Sequence, residues 1–255
     1  MSLFPQFGVP LSPAALDVVS ADLFELDFAQ MDRGLATGEM TAASGHTGVF
    51  SRGATLASVA DVNGATYTAV NQQPAWEMRD WDNDSVREAF GLRMGTSDRL
   101  AFTTALRPMA MAGMLEMIET GARTTLNSTL WSLRENAASG AGLWLDTSST
   151  FYRMNYRDGA TTRTATIASG QPVSGDRVRF FWELTGAGVL TFYQSINGAA
   201  ATSASAAALT LPGAWATSAK IRFNSNGTGN AGQGWYRRCR LVSGALNQTT
   251  IQERR

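Results

Sequence analysis

Two carboxylates stand close together near the start of the sequence. Glu25 and Asp27 alternate with apolar residues in Asp22–Phe28, so a strand through this run places both acids on one face. Retaining hydrolysis of a glycosidic bond needs two carboxyl groups about 5 Å apart, one as nucleophile and one as acid and base. Gln30, three residues beyond Asp27, is an amide and cannot donate the proton. The run therefore predicts a half-buried strand and no catalytic residue.

A second group of acids alternates at Asp80, Asp82 and Asp84. Carboxylate oxygens at such spacing are ligands that Ca²⁺ prefers in loops. An EF-hand loop would need glycine after the third acid and glutamate six residues beyond it, where this sequence has Ser85 and Gly91. The run does not match an EF-hand loop, and we expect no cofactor, with calcium as the open alternative. The alternatives left open here are a calcium site in a sandwich loop and a plain charged turn.

Other side chains that commonly carry chemistry are scarce. The sequence has one histidine, His46, and one cysteine, Cys239. An internal disulfide and a multi-histidine or multi-cysteine metal centre are thereby excluded, and a histidine-based triad would depend on His46 alone. The glycine motifs of phosphate-binding loops and nucleophile elbows do not occur. We expect the protein not to be an enzyme.

Composition predicts a globular chain without a strongly charged partner. The 255 residues are 44% hydrophobic and 16% charged, with a formal net charge of zero. This favours a sizeable core and gives no reason to expect nucleic acid as a partner. No run of about 18 apolar residues and no secretory signal is present, so we expect no membrane insertion. The basic residues are 20 arginines and Lys220, a bias that suits paired and stacked contacts.

Short alternating runs closed by glycine-containing turns fill the chain. Asn63–Gly64, Asp158–Gly159 and Asn197–Gly198 are hairpin signals, because such turns need positive φ angles. The clearest series of strands runs from Arg177 to Gly244. We read the small-residue tract Ala199–Ala208 as a surface loop. Earlier strands are predicted over Ala54–Asp61, Ala65–Val70, Ala75–Trp81, Ala89–Met94, Leu100–Leu106, Met114–Glu119, Thr129–Leu133, Gly142–Asp146, Thr150–Tyr156 and Thr161–Ile167. The pattern predicts an all-β antiparallel sandwich.

Aromatic side chains recur along these predicted strands. Exposed rings can stack on sugar faces, whereas buried rings form the core. Neighbouring residues of a strand point to opposite faces, so Phe180, Phe181 and Trp182 cannot all lie in one core layer. The candidate glycan contacts, with burial in the core as the alternative, are Trp81, Trp144 and Tyr152.

The first 20 residues differ from the rest of the chain. They hold three of the seven prolines and show little periodicity. We expect an extended arm over residues 1–20 that anchors to a partner chain, because its apolar side chains are unfavourable in water. One sandwich domain over residues 21–246 and a polar tail over residues 247–255 complete the organisation. The expected anchoring side chains are Leu3, Phe4, Phe7 and Val9.

The order of the motifs resembles a concanavalin A-like, laminin-G-like jelly roll. Gly142–Asp146 with Tyr152–Gly159 is similar to the strand pair that opens the second half of that family. Asp176–Gly198 is similar to its central hairpin, and Gly234–Ala245 to its closing strand. The runs Phe50–Gly64 and Asn71–Glu77 resemble the leader that such domains carry in tailed-phage virion proteins.

This resemblance implies a non-enzymatic virion structural protein of a phage-like particle. The protein would decorate the capsid or form part of the tail or fibre, and would adhere to host surface glycans. It implies other virion proteins as partners, a homo-oligomer, and localisation in the virion. The alternative is a carbohydrate-binding module. A glycan hydrolase ranks below both, since Glu25–Gln30 is similar to the catalytic strand of retaining β-glucanases but has Gln30 in place of its last acid.

Overall fold

The structure is a computed structural model of the 255-residue chain. All regular secondary structure in the residues that it describes is β, which confirms the all-β prediction. The described residues are 22–27, 39–41, 47–51, 75–79, 81, 89–95, 99–103, 110–120, 128–135, 140–147, 151–168, 170, 173–211, 219–224 and 234–243.

Within those ranges the chain forms sixteen strands, and every strand pair is antiparallel. The strands are β1 (Asp22–Asp27), β2 (Glu39–Thr41), β3 (Thr47–Ser51), β4 (Ala75–Arg79), β5 (Ala89–Met94), β6 (Arg99–Thr103), β7 (Met111–Glu119), β8 (Ser128–Arg134), β9 (Gly140–Thr147), β10 (Tyr152–Gly159), β11 (Thr162–Ile167), β12 (Arg177–Leu184), β13 (Leu190–Ile196), β14 (Thr202–Ala206), β15 (Lys220–Phe223) and β16 (Gly234–Val242).

The strands form two sheets of eight. The first sheet has the order β14-β13-β12-β7-β16-β5-β4, and β1 pairs beside β5 along β16. The second sheet has the order β11-β10-β9-β8-β15-β6-β3-β2. Many neighbours in a sheet are distant in sequence, such as β7 with β16 and β8 with β15. The result is a jelly-roll-like sandwich, as the sequence predicts.

Alternation along each strand produces the core between the sheets. On β10, Tyr152, Met154 and Tyr156 are fully buried in the core, while the residues between them face away. Aromatic pairs join the sheets: Trp131 and Trp182 have ring centroids 4.7 Å apart. Such contacts combine large apolar burial with favourable ring geometry, and further inter-sheet pairs are Tyr152–Phe180, Phe24–Phe102 and Phe223–Tyr236.

The outer face of the first sheet is also covered around Phe181. Phe180 and Trp182 belong to the core, whereas Phe181 points away from it, as alternation requires. Phe181 is nevertheless only 3% exposed. The three aromatics therefore divide between two faces, and all three side chains are buried.

Hairpin turns form at two of the predicted positions. Asn197 and Gly198 have φ angles of 52° and 78°, and the Ala199 N–H donates to the Ile196 carbonyl across the turn. Gly159 has a φ of 120°, and the Asp158 carboxylate accepts bonds from the backbone N–H groups of Ala160 and Thr161. These donors hold the pKa of Asp158 below its usual value.

One prediction about the fold is wrong. Within Ala199–Ala208, read as a loop, Thr202–Ala206 forms β14, the edge strand of the first sheet. Ala and Ser have only a weak local preference for a strand, and pairing with β13 is what makes this segment a strand. The strands β2 and β3 were not predicted. The hairpin predicted around Asn63–Gly64, the arm over residues 1–20 and the tail over residues 247–255 lie outside the described residues.

Candidate functional site

Several predicted site residues fall outside the part of the chain that the structure describes. These are the calcium candidates Asp80, Asp82 and Asp84, the possible acid position Gln30, and the anchoring residues Leu3, Phe4, Phe7 and Val9. The calcium site and the anchor therefore stay predictions. Among the described residues, no group of three acidic, histidine or cysteine side chains could hold a metal ion.

Trp81 is placed in a packed cluster on the outer face of the first sheet, and it is only 5% exposed. Its ring lies 6.2 Å from that of Trp235. The guanidinium carbons of Arg237 and Arg179 lie 4.8 and 5.5 Å from the Trp81 ring centroid. Glu116 accepts a hydrogen bond from each arginine. Trp81 therefore packs against the sheet, and its prediction as a glycan contact is corrected, because its ring is already covered.

Tyr152 is also unavailable to a sugar. It is fully buried, and its ring packs edge-on against Phe180 of the other sheet at 4.5 Å. Its place on β10 alternates with outward residues, so its side chain faces the core. The prediction of Tyr152 as a glycan contact is corrected by this burial, and the alternative, a core residue, describes it.

Trp144 is the predicted glycan contact that remains partly open to solvent. It is half-buried on β9, and faces away from the core because Leu143 and Leu145 face into it. Its indole N–H donates to Asp146 Oδ2 at 3.2 Å. The guanidinium carbon of Arg134 lies 4.4 Å from its ring centroid. The indole is thus held in one orientation by a hydrogen bond and a cation–π contact.

Strand register places polar residues around Trp144. In its row across the sheet, Ser132 precedes Trp144, and Asn155 and then Thr164 follow it. The Thr164 hydroxyl donates to Asn155 Oδ1, and Asn155 Nδ2 donates to the Trp144 carbonyl. We call the outer face of β8, β9, β10, β11 and β15 the Trp144 surface. Its outward side chains include Arg134, Trp144, Asp146, Arg153, Asn155, Arg157, Thr162, Thr164, Lys220 and Arg222.

Gly142 shapes this surface. A Cβ atom at Gly142 would lie 3.1 Å from Arg134 Cγ and 3.4 Å from Trp144 Cζ3. Arg134 can therefore cross the β9 backbone closely and reach the indole ring. The close approach depends on the missing side chain.

One ion pair lies on the Trp144 surface beside the indole. Arg153 Nε donates to Asp146 Oδ1 at 2.8 Å, so Asp146 receives bonds from both Arg153 and Trp144. Burial raises the pKa of Asp146, and the bonds from Arg153, Asn155 and Trp144 oppose that shift. The carboxylate fixes the positions of its neighbours and is itself only 6% exposed.

The Trp144 surface is closed over β8 and β15 and open over β10 and β11. Arg134, Lys220 and Arg222 are between 2% and 8% exposed. Burial, followed by repulsion from Arg157 and Arg222, lowers the pKa of Arg134 to about 10, against the opposing effect of Asp146. Towards β11 the side chains of Thr162 and Thr164 are exposed.

Sequence reasoning identified Trp144 and missed its basic neighbours. The signal was present, because Arg153, Asn155 and Arg157 alternate with buried residues on a predicted strand. Arg134 and Arg222 reach the same surface through the pairing of β8 with β9 and β15, and that pairing is not encoded in local spacing.

The two carboxylates considered for glycoside hydrolysis are not part of a complete catalytic site among the described residues. Glu25 and Asp27 lie on β1, where their backbones pair with Arg240 and Arg238 of β16. Burial raises the pKa of the Cys239 thiol, which favours its unreactive form. No helix in the described ranges is long and apolar enough to cross a membrane.

Comparison with known proteins gives matches among solved structures. No protein-family model matches the sequence, and no curated protein matches it. The receptor-binding domain of botulinum neurotoxin type G matches with a TM-score of 0.54 and 14% identity, over 92% of this chain and 51% of that one. The serotype C1 binding domain matches with a TM-score of 0.55 and 11% identity, over 91% and 50%.

A third match is the binding domain of botulinum neurotoxin DC in complex with rat synaptotagmin II. Its TM-score is 0.55 at 10% identity, over 91% of this chain and 50% of that one. The chain thus spans about half the length of each of these three structures. At these identities the likeness concerns the fold alone. The chain has the β-sandwich fold that occurs in these receptor-binding domains.

Proposed function

We propose that this chain is a non-enzymatic adhesion domain that binds a surface glycan on the Trp144 surface. The observation that carries the proposal is Trp144 itself, a half-buried indole held in place by Arg134 and Asp146 on an otherwise polar face. An oriented aromatic ring suits the C–H face of a sugar, and the side chains around it suit the hydroxyl groups.

The matched binding domains support this proposal through the ligands that they are known to recognise. Entry of botulinum neurotoxin type C into cells depends on interaction with two ganglioside molecules. A neurotoxin DC binding domain has been solved in complex with SialylT. Recognition of a surface molecule is thus compatible with a protein that contains this sandwich fold. The absence of catalysis is also proposed here, on the basis of Gln30 and the single histidine.

Replacing Trp144 with alanine tests the proposal. We expect Trp144→Ala to weaken binding to a surface-glycan array by at least about 30-fold, because aromatic residues at the centre of a contact often contribute about 2 kcal/mol or more. Tyr193→Ala is the matched control, since Tyr193 is a half-buried aromatic on the outer face of the first sheet. Equal binding by both variants, with unchanged melting temperatures, would contradict the proposal.

A second candidate function is a structural role in a phage-like virion, decorating the capsid or forming part of the tail or fibre. The order of the motifs from Phe50–Gly64 to Gly234–Ala245 favours it, because it resembles virion jelly-roll proteins. Virion localisation, virion partners and a homo-oligomer belong to this proposal, and the adhesion domain would then act in host attachment. Mass spectrometry of purified particles should find the chain in stoichiometric amount, and its absence from them would exclude this role.

A further inference from the structure

We infer that the Trp144 surface takes a carboxylated glycan, whose acid groups are bound by Arg153 and Arg157 on either side of Trp144. This inference rests on the proposed function and specifies the ligand class. Composition alone does not predict an acidic ligand, since the formal net charge is zero. The reason to expect an acidic ligand is structural, because strand pairing brings several arginines together on one surface.

The two arginines bracket the indole. Both lie on β10, four residues apart and thus separated by about 13 Å along the strand. Asn155 stands midway between them and is the register partner of Trp144. Arg157 is paired with Gly142, and Arg153 with Asp146. A glycan crossing the indole would therefore pass one guanidinium on each side.

Both guanidinium groups have fixed positions. The bond from Arg153 Nε to Asp146 holds Arg153 across the sheet, and its side chain is 24% exposed. The Nε of Arg157 donates to the Gly140 carbonyl at 3.2 Å, and Arg157 is half-buried. A planar guanidinium that is already oriented loses little freedom when it binds a carboxylate through two parallel bonds.

Further cations lie behind this pair. Lys220 is the register partner of Arg134, and Arg222 Nη1 donates to the carbonyls of both. All three side chains are more than nine-tenths buried. Charges in such surroundings are weakly screened by water and salt, so they act on a ligand that contacts only the open side of the surface.

The balance of charge around Arg134 favours an anion. The described carboxylates on these strands and their turns are Asp146 on β9, Glu135, which follows β8 and accepts a bond from the Ala141 N–H, and Asp158 on β10, which accepts bonds within its own turn. Despite Asp146, burial and the neighbouring guanidinium groups destabilise the charged form of Arg134. A carboxylate bound beside it would relieve that repulsion, which links ligand binding to the charge of the cluster.

Arginine pairs and an aromatic ring together fit a carboxylated sugar better than a polyanion in general. Attraction of a polyanion needs only charge and is indifferent to the indole. A carboxylated sugar presents one planar acid group for a guanidinium and one C–H face for Trp144. We therefore expect binding to depend on both the arginines and Trp144.

The test compares acidic oligosaccharides with their neutral counterparts. Binding of oligogalacturonate and of α2,8-linked oligosialate is measured by calorimetry, each beside its carboxyl-reduced form, and the two arms distinguish uronic from sialic acids. We expect at least one acidic form to bind and its reduced form to bind roughly 10- to 100-fold more weakly, since hydrogen bonds to charged groups are the stronger ones.

Variants locate the binding. Arg157→Gln should weaken the acidic ligand by roughly 10- to 100-fold, and Arg157→Lys by less, because lysine keeps the charge and loses the two parallel bonds. Arg93→Gln is the matched control, since Arg93 is exposed on β5 of the first sheet. Melting temperatures of all variants show whether the fold is intact.

The outcomes separate this inference from the proposed function. The inference of a carboxylated ligand is overturned if acidic and reduced forms bind equally, or if Arg157→Gln binds like Arg93→Gln. The proposed adhesion function would still be supported in that case if binding depends on Trp144. If dextran sulfate binds as strongly as the acidic oligosaccharides and Trp144→Ala does not weaken that binding, the surface attracts polyanions in general, and the inference is overturned. If neither acidic oligosaccharide binds, the inference is also overturned. If no array glycan binds through Trp144, the proposed function is contradicted.

Discussion

Replacing Gly113 with alanine is expected to lower the free energy of unfolding by about 2–3 kcal/mol, as overpacking of a full core does. Gly113 lies on β7 opposite Trp182 of β12. An added Cβ atom would stand 2.3 Å from Trp182 Cζ2 and 2.7 Å from Leu241 Cδ2, so these side chains would have to move. Glycine is therefore required at position 113, because the Trp182 ring occupies the space that a side chain would need.

Trp182 has little room to yield. It is 1% exposed, and its ring packs at 4.7 Å on Trp131 from the second sheet. A shift of Trp182 would disturb its contact with Trp131 between the two sheets, and interiors at crystal-like density do not absorb such a shift. Urea unfolding of Gly113→Ala should show a lower midpoint with an unchanged slope.

Two further variants make this prediction specific. Gly186→Ala is the matched control, because an added Cβ there meets no atom within 4 Å, and it should change stability by no more than about 0.5 kcal/mol. Combining Gly113→Ala with Trp182→Leu should cost less than the sum of the single changes, since the smaller side chain removes the overlap. Additive losses in the double variant would contradict the steric explanation.

The sequence predicts those features of the fold that depend on neighbouring residues, and not those that depend on contacts between distant parts of the chain. Alternation is local, so β5 (Ala89–Met94) was predicted to the residue, and most other strands within a few residues. The Asn197–Gly198 turn was predictable because its φ angles select those residues. The order of strands across each sheet was not, because β7 meets β16 through contacts between distant parts of the chain.

The candidate site was predictable only in part, for the same reason. Trp144 was identified as an aromatic that could face solvent, but Tyr152 was chosen with equal weight although it faces the core. Period-two spacing separates the faces of one strand, and only packing decides which face is inside. The basic residues around Trp144 lie on β8, β10 and β15, so the Trp144 surface exists only once these strands are joined with β9 in one sheet.

Asn224→Ala is the second substitution with a large expected effect, a loss of about 2–4 kcal/mol in the free energy of unfolding. Asn224 follows β15, has a φ of 62°, and is fully buried. Its Nδ2 donates to the Gly95 carbonyl at 2.7 Å, and its Oδ1 lies 2.9 Å from the Tyr236 hydroxyl. Alanine would lose both contacts and would have to hold the same left-handed backbone.

The position of Asn224 explains why these losses are concentrated there. Its backbone N–H donates to the Leu130 carbonyl, which lies where the register of β8 shifts against β9. The Tyr236 hydroxyl lies 3.2 Å from that same carbonyl. One asparagine therefore supports the irregular stretch of β8 in the second sheet and contacts β16 of the first. Removing its side chain leaves buried polar groups without these bonds, which is more costly than losing them in water.

Comparing alanine with glycine at position 224 separates the two contributions. Asn224→Gly loses the side-chain bonds but accepts a positive φ, so it should be more stable than Asn224→Ala by about 1 kcal/mol. Tyr236→Phe keeps the backbone and removes only the hydroxyl, and should lose about 1–2 kcal/mol. If Asn224→Ala and Asn224→Gly unfold at the wild-type urea concentration, the asparagine does not hold the sheets at this point. If both lose stability equally, the bonds matter and the left-handed backbone does not.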